Sequence, residues 1–296
     1  MGIGKQKFML DNMKFVIGNV YQGTVDDISQ LRGEFCIEHF EGVHKHVYTD
    51  PWCTKGAWRG YKPNRHEVFD VKGALVSSEP IVKWNLDQYK DSMDDCVQAV
   101  IKAIQLRYEP NCLLLLSGGI DSSVVAVILH DLGHYVTCLT VNENTDQIQE
   151  YCTNHEFIRW DDLEKHPNLL NKIAKFAKEQ LGKQVILTGN VSDGPYYNND
   201  SAFKFPKNLE DIFPWPDFDQ NHTLKICKLW DMYAFKNRVD YRFCFADRVL
   251  MQEFLNLTPE LKNTRYKYHT SVVLEQRGFD LSQFKKNRFT AHNIKQ

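Results

Sequence analysis

Five apolar residues, Cys112-Leu113-Leu114-Leu115-Leu116, run directly into Ser117-Gly118-Gly119-Ile120-Asp121-Ser122, and a second apolar stretch follows from 124 to 129. An unbroken apolar run of this length reads as a parallel strand covered on both faces, where side-chain alternation is lost. The stretch after the turn reads as a helix over 124 to 132 with Gly133 as its C-terminal cap. A buried strand feeding a helix through a glycine turn commits this part of the chain to an α/β architecture.

That turn has the chemistry of an anion site. Gly118 and Gly119 let backbone N–H groups approach a ligand closely, and the hydroxyls of Ser122 and Ser123 point the same way as the positive end of the helix. Leu115, Ser117, Gly118, Gly119, Asp121, Ser122 and Ser123 are therefore candidate nucleotide-binding residues. The GxxxxGK[ST] spacing of the common phosphate loop is missing, and Asp121 lies inside the turn. A carboxylate beside phosphates calls for a bridging cation, so Asp121 is also a candidate metal ligand.

Strands over 135 to 141, 157 to 160 and 184 to 188 alternate with helices over 146 to 152 and 167 to 181. The pattern predicts a doubly wound parallel sheet with ligands at the carboxyl ends of its strands, where Ser117, Val141 and Thr188 fall. Val141 and Gly189 join the candidate nucleotide site on that ground. Asp193, just past the Gly189 turn, alone reads as a turn residue, but facing the phosphate loop it would share a cation with Asp121. A polar and aromatic stretch from 190 to 220 reads as a lid or binding loop, with Tyr196, Tyr197 and Trp215 either packing it or stacking on a ring. Helices over 223 to 237, 246 to 256 and 266 to 277 make the C-terminal part helical.

Before this core, a helix is predicted over 91 to 107. The chain from 13 to 87 reads as short strands between glycines, a small antiparallel sheet. His44 and His46 on it read as exposed strand residues. A formal charge of −2 gives no global field to draw in nucleic acid, so a nucleic-acid partner is disfavoured. The eight cysteines show no CxxC or metal spacing and read as buried or free thiols in a reducing compartment. No apolar run approaches the roughly 18 residues of a membrane span, and Gln6 stands where a myristoylation signal would have serine or threonine. The expectation is a soluble, cytoplasmic protein with no membrane partner.

Ser-Gly-Gly-x-Asp-Ser after a hydrophobic strand resembles the pyrophosphate loop of the ATP pyrophosphatases, an adenine nucleotide α-hydrolase-like fold. Three further stretches resemble the synthetase domain of the asparagine synthetase and β-lactam synthetase group. They are Leu187-Thr188-Gly189-Asn190-Val191-Ser192-Asp193-Gly194, Asp240-Tyr241-Arg242-Phe243-Cys244-Phe245-Ala246-Asp247, and Leu257-Thr258-Pro259-Glu260-Leu261-Lys262. Lys286-Asn287-Arg288-Phe289 is similar to the family's essential-lysine pattern. Stretches 31 to 36 and 49 to 55 resemble later strands of its glutaminase domain.

The resemblance implies a degenerate glutaminase-like domain over 13 to 88 and a synthetase domain over 89 to 296. It implies ATP and Mg²⁺, with adenylation of a small carboxylate, release of pyrophosphate, and displacement of AMP by ammonia or an amine. It makes Lys286 the catalytic lysine, Asp240 a group that orients or deprotonates the amine, and Arg242 a brace. The family's glutaminase nucleophile is an N-terminal cysteine, whereas the first cysteine here is Cys36, mid-strand, so no glutamine hydrolysis is expected. Asn190 and Gly194 stand where the family has glutamates, which puts asparagine as the product in question. Two other functions remain open: a pyrophosphate-loop enzyme that modifies a nucleobase or tRNA, and a nucleotide-binding protein without catalysis.

Overall fold

A computed structural model describes residues 13–22, 28, 31–140, 145–160 and 168–284. It contains two five-stranded sheets. The first is wholly antiparallel, in the order β1 (Met13–Gln22), β2 (Arg32–Glu41), β3 (His44–Thr49), β4 (Arg65–Phe69), β5 (Leu75–Pro80). One of its faces buries Phe35 and Ile37 and the other buries Cys36 and Val47. Helix α1 (Asp94–Arg107) then leads into the second sheet.

The second sheet is parallel, in the order β10-β9-β6-β7-β8. It comprises β6 (Leu113–Leu115), β7 (Thr137–Thr140), β8 (Glu156–Arg159), β9 (Val185–Thr188) and β10 (Asp240–Phe243). Helices α2 (Ile120–Asp131), α3 (Asp146–Tyr151) and α4 (Leu169–Glu179) connect them in the expected alternation. From β6 the chain moves to β7 and β8 on one side, then crosses to β9 and β10 on the other. The strand order therefore reverses beside β6, and the Ser117 to Ser122 turn sits at the carboxyl end of that strand. Such a switch point is where open α/β sheets bind ligands.

Two elements differ from expectation. The stretch from 190 to 220 is no open lid: it holds α5 (Gly194–Tyr197) and a short 3₁₀ turn (Leu209–Asp211), and it buries Tyr196, Tyr197, Phe205, Trp215 and Phe218. Tyr196 stacks on His269 with ring centroids 4.3 Å apart, and Trp215 donates its indole N–H to the Gly194 carbonyl at 3.0 Å. These aromatics are core, so they are not free to stack on a ligand ring. The second difference is β10, which was not anticipated because two of its four residues, Asp240 and Arg242, are charged.

After α6 (Asn221–Asn237) and β10 come α7 (Arg248–Asn256), α8 (Pro259–Lys262) and α9 (Tyr268–Glu275). Asp247 starts α7 by accepting from the N–H groups of Val249 and Leu250, and Thr258 caps α8. No helix among the described residues is long and apolar enough to cross a membrane.

Candidate active site

The phosphate loop is organised by Ser122. Its hydroxyl accepts from the Ser117 N–H at 3.0 Å, lies 3.1 Å from the Ser117 hydroxyl and donates to the Gly119 carbonyl at 3.2 Å. Gly118 has φ +64, the left-handed region that a side chain resists. Gly119 leads into α2, whose first turn contains Asp121. The Ser123 hydroxyl is buried with no hydrogen-bond partner. Leu115 is buried in β6 and serves as scaffold.

Gly189 brings the second acidic turn against this loop. A Cβ there would lie 2.7 Å from the Ser122 nitrogen and 2.9 Å from the Asp121 carbonyl carbon. Only a glycine permits that approach, and it sets Asp193 beside Asp121. Within the same turn Val191 is held at φ +70, a conformation that is a true outlier for a β-branched residue and one that clusters at functional sites.

A residue not anticipated from the sequence joins the two carboxylates. Lys267, just before α9 and nearly buried, lies 2.7 Å from Asp193 Oδ1 and also pairs directly with Asp121 Oδ2. The Tyr266 hydroxyl donates to Asp193 Oδ1 at 2.7 Å. Burial opposes the lysine's charge, but the two carboxylates outweigh it and hold the ammonium well above its ordinary pKa. Burial raises the Asp121 pKa, and Asp193 adds to that, while Lys267 pulls it down. The Asp121 Oδ1 atom is buried with no hydrogen-bond partner. The available signal for Lys267 was its place in Arg265-Tyr266-Lys267-Tyr268, a basic residue between two aromatics at a helix start.

Asp240 and Arg242 lie elsewhere. Asp240 opens β10 opposite Val185, whereas the loop-facing end of that pair is Phe243 opposite Thr188, about 10 Å further along. Asp240 accepts from Lys55 at 2.8 Å, Asn19 at 2.7 Å and Arg242 at 2.8 Å. Burial would raise its pKa, but Lys55 and Arg242 together hold the carboxyl well below the usual range. Arg242 also reaches Glu109 at 2.6 Å and the Arg107 carbonyl at 2.9 Å.

Around them runs a buried seam between the two sheets. Arg107 bridges Glu34 at 2.8 Å and Asp247 at 3.0 Å, Arg32 reaches Asp247 at 2.8 Å, and the Phe243 N–H donates to Glu34 at 3.0 Å. The structure thus groups Ser117, Gly118, Gly119, Asp121, Ser122, Ser123, Gly189 and Asp193, and it sets Asp240 and Arg242 in the seam. Val141 and Lys286 fall outside the described residues.

With that geometry in place, a comparison with known families bears on the site. Residues 111–189 match the family model described as tRNA methyl transferase HUP domain. The matched span starts just before β6 and ends on Gly189, so it contains the whole phosphate loop and four strands of its sheet, β6 to β9. It supports the pyrophosphate-loop superfamily in general, with its Rossmann-like α/β domain and use of ATP, and not the asparagine synthetase branch in particular. A search of curated proteins found no match.

The donor set suits a magnesium–phosphate ligand. Asp121 and Asp193 supply carboxylate oxygens, the ligand type that Mg²⁺ prefers, and Asp121 keeps one buried oxygen unpaired. Backbone amides of the glycine turn, the α2 N-terminus and the serine hydroxyls supply anion donors.

Proposed function

We propose that this chain is an ATP-consuming adenylating enzyme, which couples an acceptor oxygen to AMP, releases pyrophosphate and then passes the activated group to a nucleophile. The observation that carries this reading is the convergence of the Ser117 to Ser122 turn, Asp121, Asp193 and Lys267 at the switch point of the parallel sheet. In the first step an acceptor oxygen attacks the α phosphorus, a P–O bond forms, and the bond between the α phosphorus and its bridging oxygen to the β phosphate breaks. In the second step a nucleophile with a free electron pair displaces AMP and loses a proton.

The glycine-turn amides and the α2 N-terminus are placed to receive the departing pyrophosphate. Lys267 adds a fixed positive charge where negative charge grows. Asp121 and Asp193 would hold Mg²⁺, which when bound neutralises the pyrophosphate leaving group. The close approach of Gly189 to the Ser122 backbone keeps the two acidic turns in register.

Two acceptor classes fit this half-site. The matched family favours a nucleobase in tRNA, since its description names tRNA. The ordered resemblance over 187 to 262 supports a small carboxylate passed to ammonia or an amine. The structure lessens that second support, because Asp240, Arg242 and Asp247 serve the seam and a helix cap. Sulfur transfer through a thiolate has no support among the eight cysteines, which are all buried, with burial pushing those of Cys112, Cys152 and Cys244 upward. Cys36 is likewise raised by burial, so the N-terminal sheet, which we read as a degenerate glutaminase-like domain, offers no nucleophile there.

The deciding experiment is release of labelled AMP from α-labelled ATP with Mg²⁺, run with bulk tRNA and, separately, with a panel of amino acids and amines. AMP only with tRNA selects the nucleobase acceptor, and AMP only with small carboxylates selects the ligase. No AMP and no ATP–pyrophosphate exchange under any condition would overturn the enzyme reading.

A further inference from the structure

The face of the N-terminal sheet that buries Phe35 and Ile37 carries, further along β2, a cluster unrelated to the phosphate loop. His39 on β2 stands directly opposite His46 on β3, and Tyr48, two residues on, stands opposite His66 on β4. Because side chains alternate along a strand, His39, Glu41, His46, Tyr48 and His66 share one face. One ligand atom from each of His39, Glu41 and His46 can be chosen so that all lie within 4.8 Å of one another. The reading of His46 as a simple exposed residue is therefore corrected: pairing across strands supplies the partners that sequence distance hid.

The hydrogen bonds already present orient this cluster as a ligand set. His46 Nδ1 lies 3.0 Å from His66 Nε2, and His66 Nδ1 lies 3.3 Å from Glu79. A proton on His66 Nδ1 directed at the Glu79 carboxylate leaves His66 Nε2 as acceptor, so His46 carries its proton on Nδ1. The lone pair of His46 is then on Nε2, which faces Glu41 at 3.6 Å. A carboxylate that fixes the tautomer of a ligating histidine through its far nitrogen is the usual outer support of a metal site. His39 Nδ1 is enclosed and has no hydrogen-bond partner.

We propose that His39, Glu41 and His46 form a binding site for a divalent transition cation of the zinc class, with a water in the fourth position. Two imidazoles and a carboxylate match that class and are poor ligands for magnesium. Metal–ligand bonds of about 2 Å place tetrahedral ligand atoms about 3.4 Å apart. The exposed Glu41 side chain supplies the closing movement. The site would cross-link β2 and β3 and shares no residue with the Asp121–Asp193 pair.

The test is titration of the full-length, chelator-stripped protein with Co²⁺, read by its visible ligand-field bands. Wild type is expected to show tetrahedral-type bands that saturate at one equivalent. His39→Asn and His46→Asn should abolish them, and Glu79→Gln should weaken binding by roughly tenfold. His44→Asn and Asp193→Asn should leave them intact, which separates this site from the Asp121–Asp193 pair. Should His46→Asn fail to fold in chelator, Glu41→Gln carries the same test, because its side chain is 72% exposed. No bands in wild type, or bands that persist in folded His39→Asn, His46→Asn or Glu41→Gln, would overturn the proposal.

Discussion

Lys267 donates its ammonium to the Asp193 carboxylate at 2.7 Å and, from the same nitrogen, to Asp121. One cation thus compensates two half-buried carboxylates from different strand ends, each aimed at the phosphate loop. Replacing Lys267 by methionine keeps the bulk and removes the charge. AMP formation should fall by about two to three orders of magnitude, the usual cost of losing a preorganised charge at a developing anion. Lys267→Arg should recover part of it. Wild-type turnover in Lys267→Met would remove the lysine from the chemistry.

Gly189 tests the contact between the two turns. A methyl group at 2.7 Å from the Ser122 nitrogen meets backbone, which cannot rotate aside. Gly189→Ala should destabilise the fold by about 1–3 kcal/mol, as overpacking does, and weaken ATP binding by separating Asp193 from Asp121. Urea unfolding and ATP titration check the two effects. Gly182→Ala is the control: its φ of +65 strains any side chain, but nothing lies within 4 Å of its added Cβ, so it should lose stability with no change in ATP affinity.

The legible parts of this molecule were those in which neighbours in sequence are neighbours in space. The strand–turn–helix of 112 to 129, the parallel alternation and the antiparallel N-terminal sheet all carry local periodicity, and each was found. Asp193 could be placed because it follows a strand end. Lys267 could not, since its approach to Asp121 spans 146 residues and depends on how α9 packs on α2. The His39–His46 pair was hidden for a similar reason, as strand register is set by the hairpin and not by either histidine. Asp240 was misplaced because a charged residue at a strand start and one at a strand end look alike in sequence, while only the latter faces the ligand.

The seam makes its own prediction. Asp240 is bonded to Lys55, Arg242 and Asn19, so Asp240→Asn leaves two buried cations with less compensation. Breaking one partner of such a network costs about 3–5 kcal/mol. The thermal midpoint should drop by several degrees while AMP release per folded molecule stays close to wild type. Loss of turnover with unchanged stability would return Asp240 to the chemistry.

Lys262 gives a pH-dependent test. Its side chain is 1% exposed as part of a residue packed on Phe205 and Phe254, and its ammonium donates only to the Leu255 carbonyl at 2.8 Å. Burial without a carboxylate lowers its pKa to about 7. A base whose folded pKa is depressed favours the fold only when neutral, so its destabilising effect is absent above the unfolded value of about 10.4 and grows as pH falls towards 7. Lys262→Met removes that penalty. The variant should be more stable than wild type by about 2–4 kcal/mol at pH 7, less the lost hydrogen bond, with the gain shrinking as pH rises towards 10. Guanidinium unfolding of both proteins between pH 7 and 10 reads this directly. A gain that stays constant with pH would mean that folding does not lower the Lys262 pKa and that the residue simply packs poorly, and a loss at every pH would show its bond to Leu255 to be the dominant effect.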